Sequence, residues 1–199
     1  MRRLTLFKGM RAARIPRARS IRLSLEILED RVVPSGTPTV AQAGYANPGV
    51  ELLNNAVVSP AGGPGQPAGF SPGQISQAYG FNQITFNNGT VRGDGTGQTI
   101  AIVDAYNQPN IISDLQTFDA TYGLAAPPSF TVVNQKGGSV LPAADQGWGL
   151  EISLDVEWAH AMAPGANILL VEANSNSYSD LLTAVDYARN QPSVSVVSM

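Results

Sequence analysis

From Thr99 onward, short apolar runs alternate with stretches in which apolar residues recur every three to four positions. The short runs, bounded by turn-forming residues, predict buried strands, and the longer recurrences predict helices that pack one face. Strands are therefore expected at 99–104, 130–134, 167–172 and 194–197, and helices at 110–122, 150–163 and 179–190. The helix at 150–163 is apolar over most of its surface and should be largely buried. The last helix is expected to present Leu181, Leu182, Val185 and Ala188 on one side. Strict alternation of strand and helix implies right-handed crossovers, and hence an α/β fold in which a parallel sheet carries helices on both faces.

The pattern is different upstream. Residues 34–73 are rich in Pro, Gly, Ala, Ser and Asn around Pro60-Ala-Gly-Gly-Pro-Gly-Gln-Pro67. That composition buries too little apolar area to offset the entropy of ordering, so it reads as a linker. Before it, residues 1–33 are basic: nine of the twelve Lys and Arg residues precede position 32, leaving Arg92, Lys136 and Arg189 to face twelve Asp and Glu. The net charge of −3 thus joins a basic head to an acidic body, and an acidic body is unsuited to the phosphate backbone of nucleic acid. The head opens like an export signal but lacks a continuous apolar stretch after its charges, which leaves a solvated tail as the reading from composition, with a basic patch for membrane lipid or nucleic acid as the alternative. No run approaches the ~20 apolar residues of a membrane span. With no Cys, disulfides, thiolate metal sites and a cysteine nucleophile are excluded.

The most informative chemistry lies in the buried helix. Glu151 and Asp155 are four residues apart, so they share one helix face, where like charges repel. Burial there would raise at least one pKa and make the two titrate as a unit able to hold and pass on a proton. A purely structural reading competes: Glu151 follows Gly147 and Gly149 and is expected in the first turn, where the helix dipole favours an acid.

Three stretches carry a resemblance. Gly149-Leu-Glu-Ile-Ser-Leu-Asp-Val-Glu-Trp-Ala-His-Ala-Met-Ala-Pro-Gly-Ala166 resembles the catalytic helix of the sedolisins, the serine-carboxyl peptidases, in which a Glu-x-x-x-Asp pair precedes an Ala-Pro-Gly-Ala turn. Ser71-Pro-Gly-Gln-Ile-Ser-Gln-Ala-Tyr-Gly80 looks like the segment opening that family's catalytic domain, and Gly95-Thr-Gly-Gln-Thr-Ile-Ala-Ile-Val-Asp-Ala-Tyr106 like its first core strand. The resemblance spans residues 71–199 and implies a subtilisin-like sheet, a protein or peptide substrate, and Glu151 and Asp155 as the proton-handling acids. It also implies that the nucleophilic Ser, an oxyanion-stabilising Asp and a calcium site belong to the family's second half. In the family the strand at 194–197 continues into Ser-Trp-Gly, so the domain at 74–199 is expected to be truncated, inactive alone and without a cofactor of its own. Arg22-Leu-Ser-Leu-Glu-Ile-Leu-Glu-Asp-Arg-Val-Val-Pro-Ser35 resembles a leader of bacterial surface and secreted proteins, which implies export. The folded propeptide usual in the family has no counterpart of sufficient length here.

Other candidates are weaker. Asp104 closes the first strand at the end that faces the ligand crevice in open α/β sheets, so it is a candidate auxiliary acid. Trp148, just before the acidic pair, is either core or a wall of a substrate cleft, and Trp158 reads as core. The loop 104–109 is a candidate substrate contact. His160, the sole histidine, has no partners for a metal site and no Gly-x-Ser-x-Gly nucleophile turn to serve, so packing is expected. Gly93-Asp-Gly-Thr-Gly97 precedes a strand rather than following one and reads as a turn, not a phosphate loop. The rival to a peptidase is a non-catalytic peptidase-like binding or adhesion module of an exported protein. A plain α/β binding domain is a third reading.

Overall fold

The computed structural model describes residues 44–48 and 69–199. The basic head at 1–33 lies outside the described residues, as does the linker at 34–73 apart from 44–48 and 69–73.

Ser71 opens the first helix, α1 (Pro72–Ala78), through a reciprocal capping box with Gln74, and Pro72 fits the first turn because its missing N–H would have had no partner. A 3-10 turn (Phe81–Gln83) leads into a small exposed hairpin of β1 (Thr85–Phe86) and β2 (Val91–Arg92). After the turn at 93–97 come β3 (Thr99–Ala105), α2 (Ile111–Tyr122), β4 (Phe130–Asn134), α3 (Gln146–Met162), β5 (Asn167–Ala173), α4 (Tyr178–Arg189) and β6 (Val196–Ser198). The turn is stabilised by Asp94, which accepts from the Thr96 N–H and hydroxyl. No helix opens there, as the sequence implied.

The main sheet has the order β4-β5-β3-β6, and every pairing is parallel. Successive residues of a strand point to opposite faces. Ala101, Val103 and Ala105 of β3, with Val171 and Ala173 of β5, therefore meet Leu181, Ala184 and Ala188 of α4 on one side. Ile102, Ile168 and Leu170 meet Ile111 and Leu115 of α2 and Ile152 and Val156 of α3 on the other. The sheet is thus covered on both faces, as the alternating pattern required.

Two local expectations change. Leu182 is 59% exposed and Ala184 takes its place in the core, because the buried side of α4 follows positions 181, 184 and 188. Helix α3 starts a full turn before the expected residue 150, since the Asp145 carboxylate accepts from the Trp148 N–H at 3.0 Å and caps the end through both glycines. Glu151 therefore lies in the second turn, where the helix dipole gives it less support.

Candidate functional site

Four acids converge where the carboxyl ends of β3 and β5 meet α3. The buried stripe of α3 runs through Trp148, Ile152, Val156 and His160, four residues apart, and Glu151 and Asp155 lie half-buried beside it. Asp104 is two residues beyond Ile102 and so faces the α3 side of the sheet. Its register partner on β5 is Glu172, which faces the same way, two residues beyond Leu170. Asp104 is 3% exposed and Glu172 is not exposed at all.

Asp104, Glu151, Asp155 and Trp148 line a common cavity of about 260 Å³. Burial pushes the Asp104 carboxyl up to about 8, and the charges of Asp155, Glu151 and Glu172 add to the effect. Burial likewise raises Asp155, with Glu151 contributing repulsion. The Glu172 carboxyl is pushed up to about 7 by burial, against which the Gln108 N–H, donating to its Oε1 at 3.3 Å, acts weakly. One buried oxygen each of Asp104, Glu151 and Glu172 has no hydrogen-bond partner among the described residues. No Lys or Arg forms an ion pair with any of the four there either. Carboxylates gathered this closely cannot all ionise near neutrality, so Asp104, pushed up to about 8, holds its proton there, and Glu172, at about 7, is divided between its two forms. Such a set can accept a proton from a nucleophile and return it to a leaving group.

The loop 104–109 braces this arrangement. Gln108 donates from its side-chain amide to Asp114 Oδ2 at 3.1 Å and to Ser153 Oγ at 3.3 Å, tying the end of β3 to α2 and α3. Gly149 is buried beside the same amide. A larger, more open cleft of about 740 Å³ runs along another flank of α3, past Gln108, Asp145, Leu150 and Glu157. None of the four converging acids lines it, so the chemistry points to the smaller cavity.

The sequence-predicted residues separate clearly. Glu151, Asp155, Asp104 and Trp148 are brought together; His160 is not. It is fully buried, with Nε2 at 2.9 Å from the Ala125 carbonyl and 3.2 Å from Asp119, and it ties α3 to the segment after α2. Trp158 packs edge-on to Phe118 at 6.3 Å and lines an apolar hollow with Ile75, Tyr79 and Phe81 that also reaches Asp155. Glu172 was missed. Its signal was a single acid closing the apolar run Ile168-Leu-Leu-Val-Glu-Ala173, in phase with the inward-facing positions. Among the described residues no group of three or more His, Cys, Asp or Glu is placed to hold a metal ion, and no helix is long and apolar enough to cross a membrane.

No protein-family model matches the chain. Kumamolisin of Bacillus sp. (strain MN-32) is 32% identical over 136 residues, which make up 66% of this chain and 23% of that protein. The chain thus spans about a quarter of the length of this curated relative. A solved structure of Pseudomonas sedolisin, a serine-carboxyl proteinase complexed with two molecules of pseudo-iodotyrostatin, is 25% identical, covers 52% of this chain and 30% of that one, and has a TM-score of 0.44. Over part of its length, the chain is therefore related to the sedolisin family.

Proposed function

We propose that this chain supplies the proton-handling half of a sedolisin-type serine-carboxyl endopeptidase. The observation that carries the reading is the convergence of Glu151 and Asp155 with buried Asp104 in one cavity, on the helix that leads into Ala163-Pro-Gly-Ala166. A serine from the family's second half attacks the peptide carbonyl. Glu151 takes the hydroxyl proton as the Oγ–C bond forms, and returns it to the amine as the C–N bond breaks. Asp155 orients Glu151 and shares its charge. Asp104, kept protonated by burial, adds no charge beside the pair and so limits the repulsion there. The calcium implied by the resemblance belongs to the family's second half, and no step here passes through it. The leader-like segment at 22–35 supports export as the setting.

The test uses a polypeptide that continues past residue 199 through the family's second half, with its nucleophilic Ser, assayed on denatured casein from strongly acidic to neutral pH. Glu151→Gln and Asp155→Asn should each lower kcat by orders of magnitude with KM nearly unchanged. The 199-residue chain itself should not cleave casein. Cleavage by that chain, abolished in Glu151→Ala, would place the nucleophile within these residues and overturn the reading.

A further inference from the structure

Each of the two central strands of the sheet carries an acid near its carboxyl end. Asp104 and Glu172 are register partners in the parallel pairing of β3 with β5, so their side chains leave the sheet side by side on one face, from strands about 4.8 Å apart. Both are enclosed. Each keeps one buried oxygen that has no hydrogen-bond partner among the described residues, Oδ2 of Asp104 and Oε2 of Glu172. The other oxygen of Glu172, Oε1, accepts from the Gln108 N–H at 3.3 Å. A bare carboxylate oxygen in such a place is costly, and two carboxylates beside each other cost more. One proton between them answers both needs, because one carboxyl then donates while the other accepts.

Among the described residues no neighbour is placed to satisfy the two oxygens instead. From α3, Glu151 and Asp155 share the cavity with Asp104, but they are acids themselves, and Glu151 Oε2 is likewise without a partner. On β4 the register partner of Glu172 is Asn134. Its side-chain oxygen accepts from the N–H groups of Lys136 and Gly138, and its amide donates to the Val140 carbonyl. From α2 comes Asp114, which takes the side-chain amide of Gln108. The ion pairs there are His160 with Asp119 and Arg189 with Asp186, so no cation reaches either carboxyl. Burial raises the proton affinity of both acids, in keeping with a pair that retains protons.

We propose that Asp104 and Glu172 form a proton-sharing carboxyl dyad, with the Glu172 Oε2–H donating to Asp104 Oδ2, and that Glu172 is thereby a positioning residue for the acids of the cavity. At low pH both carboxyls are neutral. Loss of one proton leaves the other shared between the two, and that last proton is held against the charge already formed. Glu172 does not line the cavity, whereas Asp104 does, so Glu172 acts on Glu151 and Asp155 through Asp104. Its own anchor is the Gln108 N–H, which ties the dyad to the loop 104–109. The consequence for catalysis rests on the peptidase reading: the dyad keeps a neutral carboxyl beside Glu151 while Glu151 accepts and returns the serine proton.

The experiment is an NMR titration of the 199-residue chain, isotope-labelled at the carboxyl carbons of Asp and Glu. Asp104 and Glu172 should each titrate in two steps with the same two midpoints, the mark of coupled sites. Glu172→Gln keeps the acceptor for the Gln108 N–H. In that variant Asp104 should titrate in a single step, about one pH unit or more below the upper step of the unaltered chain. Asp104→Asn should simplify the Glu172 curve in the same way. One-step titration of both acids in the unaltered chain would overturn the dyad, and that result decides the matter even if a variant fails to fold. An Asp104 curve left unchanged by Glu172→Gln would overturn it too. The positioning role has its own arm. Glu172→Gln should shift the Glu151 and Asp155 curves in the unaltered chain but leave them unchanged when Asp104→Asn is already present, and an equal shift in both backgrounds would refute action through Asp104. No substrate is used, so the dyad stands or falls by these curves, while turnover by the extended polypeptide tests the peptidase reading separately.

Discussion

Glu172→Gln isolates the energetic consequence of placing an acid inside the sheet. In the folded chain the Glu172 carboxyl is raised from 4.5 to about 7, chiefly by burial. The folded state therefore binds more protons than the unfolded chain between those values. The stabilisation due to the protonated group is fully present below the unfolded value and is lost as the pH rises through about 7. At about 1.4 kcal/mol per tenfold change in proton affinity, the full loss amounts to about 3 kcal/mol, of which about 2.5 falls between pH 5 and pH 8. Gln keeps the acceptor for the Gln108 N–H but cannot ionise. The variant should gain about 2 to 3 kcal/mol on the unaltered chain at pH 8 relative to their difference at pH 5, whatever fixed offset the buried amide introduces. Removing the Glu172 charge also lowers the cost of ionising Asp104, a change of the same sign. Urea unfolding of both proteins at the two pH values measures the difference directly. Parallel stability–pH curves would mean that Glu172 ionises as it does in water, and the account of the buried cluster would be wrong.

Further outcomes follow from the same geometry. In an extended, active form, the Glu151→Gln and Asp155→Asn double variant should lose far less kcat than the product of the single losses, because the pair acts as a unit; strict multiplicativity would show the two to be independent. His160→Ala should lower unfolding free energy by about 2 to 4 kcal/mol through the cavity it leaves and the lost contact to Ala125, and urea midpoints unchanged from the parent would refute this. A Cβ at Gly165 would sit 2.6 Å from Thr96 Oγ1 and 3.0 Å from the Thr96 backbone nitrogen. Gly165→Ala should therefore cost about 1 to 3 kcal/mol, measurable as a drop in Tm, and an undisturbed Tm would mean that the turn can open without strain.

The sequence made the strands and most of the helices readable because their signals are local. The runs at 99–104, 130–134 and 167–172 are short, apolar and punctuated, and each became a strand with an end shifted by no more than one residue. The start of α3 was hidden by Gly147 and Gly149, which disfavour a helix, while the cap that sets it is the Asp145 carboxylate accepting from the Trp148 N–H. The β1–β2 hairpin escaped because its two-residue strands are exposed and carry no periodicity. At the site, helical spacing put Glu151 and Asp155 on one face but left a structural reading open, whereas the inclusion of Asp104 depended on where β3 ends. Glu172 was legible as the last residue of a strand but not as a partner of Asp104. Its direction and partner are set by the pairing of β5 with β3, which joins residues 68 positions apart. The contact of Ala46 with Asn176, 130 positions away, lies equally beyond local pattern.

The pairing of Asp104 with Glu172 also bears on how the sheet finds its alignment. Parallel ladders of apolar residues distinguish poorly between neighbouring offsets, since one branched side chain replaces another at little cost. Here each strand carries an acid near its carboxyl end. Sliding β5 by one residue would turn Glu172 toward Leu181 and Ala184 of α4, and sliding it by two would carry the acid inward beside Ile102. Either error strands a carboxyl among hydrocarbon, at a cost comparable to a large share of a domain's stability. The paired acids of β3 and β5 thus act as alignment marks, penalising misregistered sheets while the chain folds.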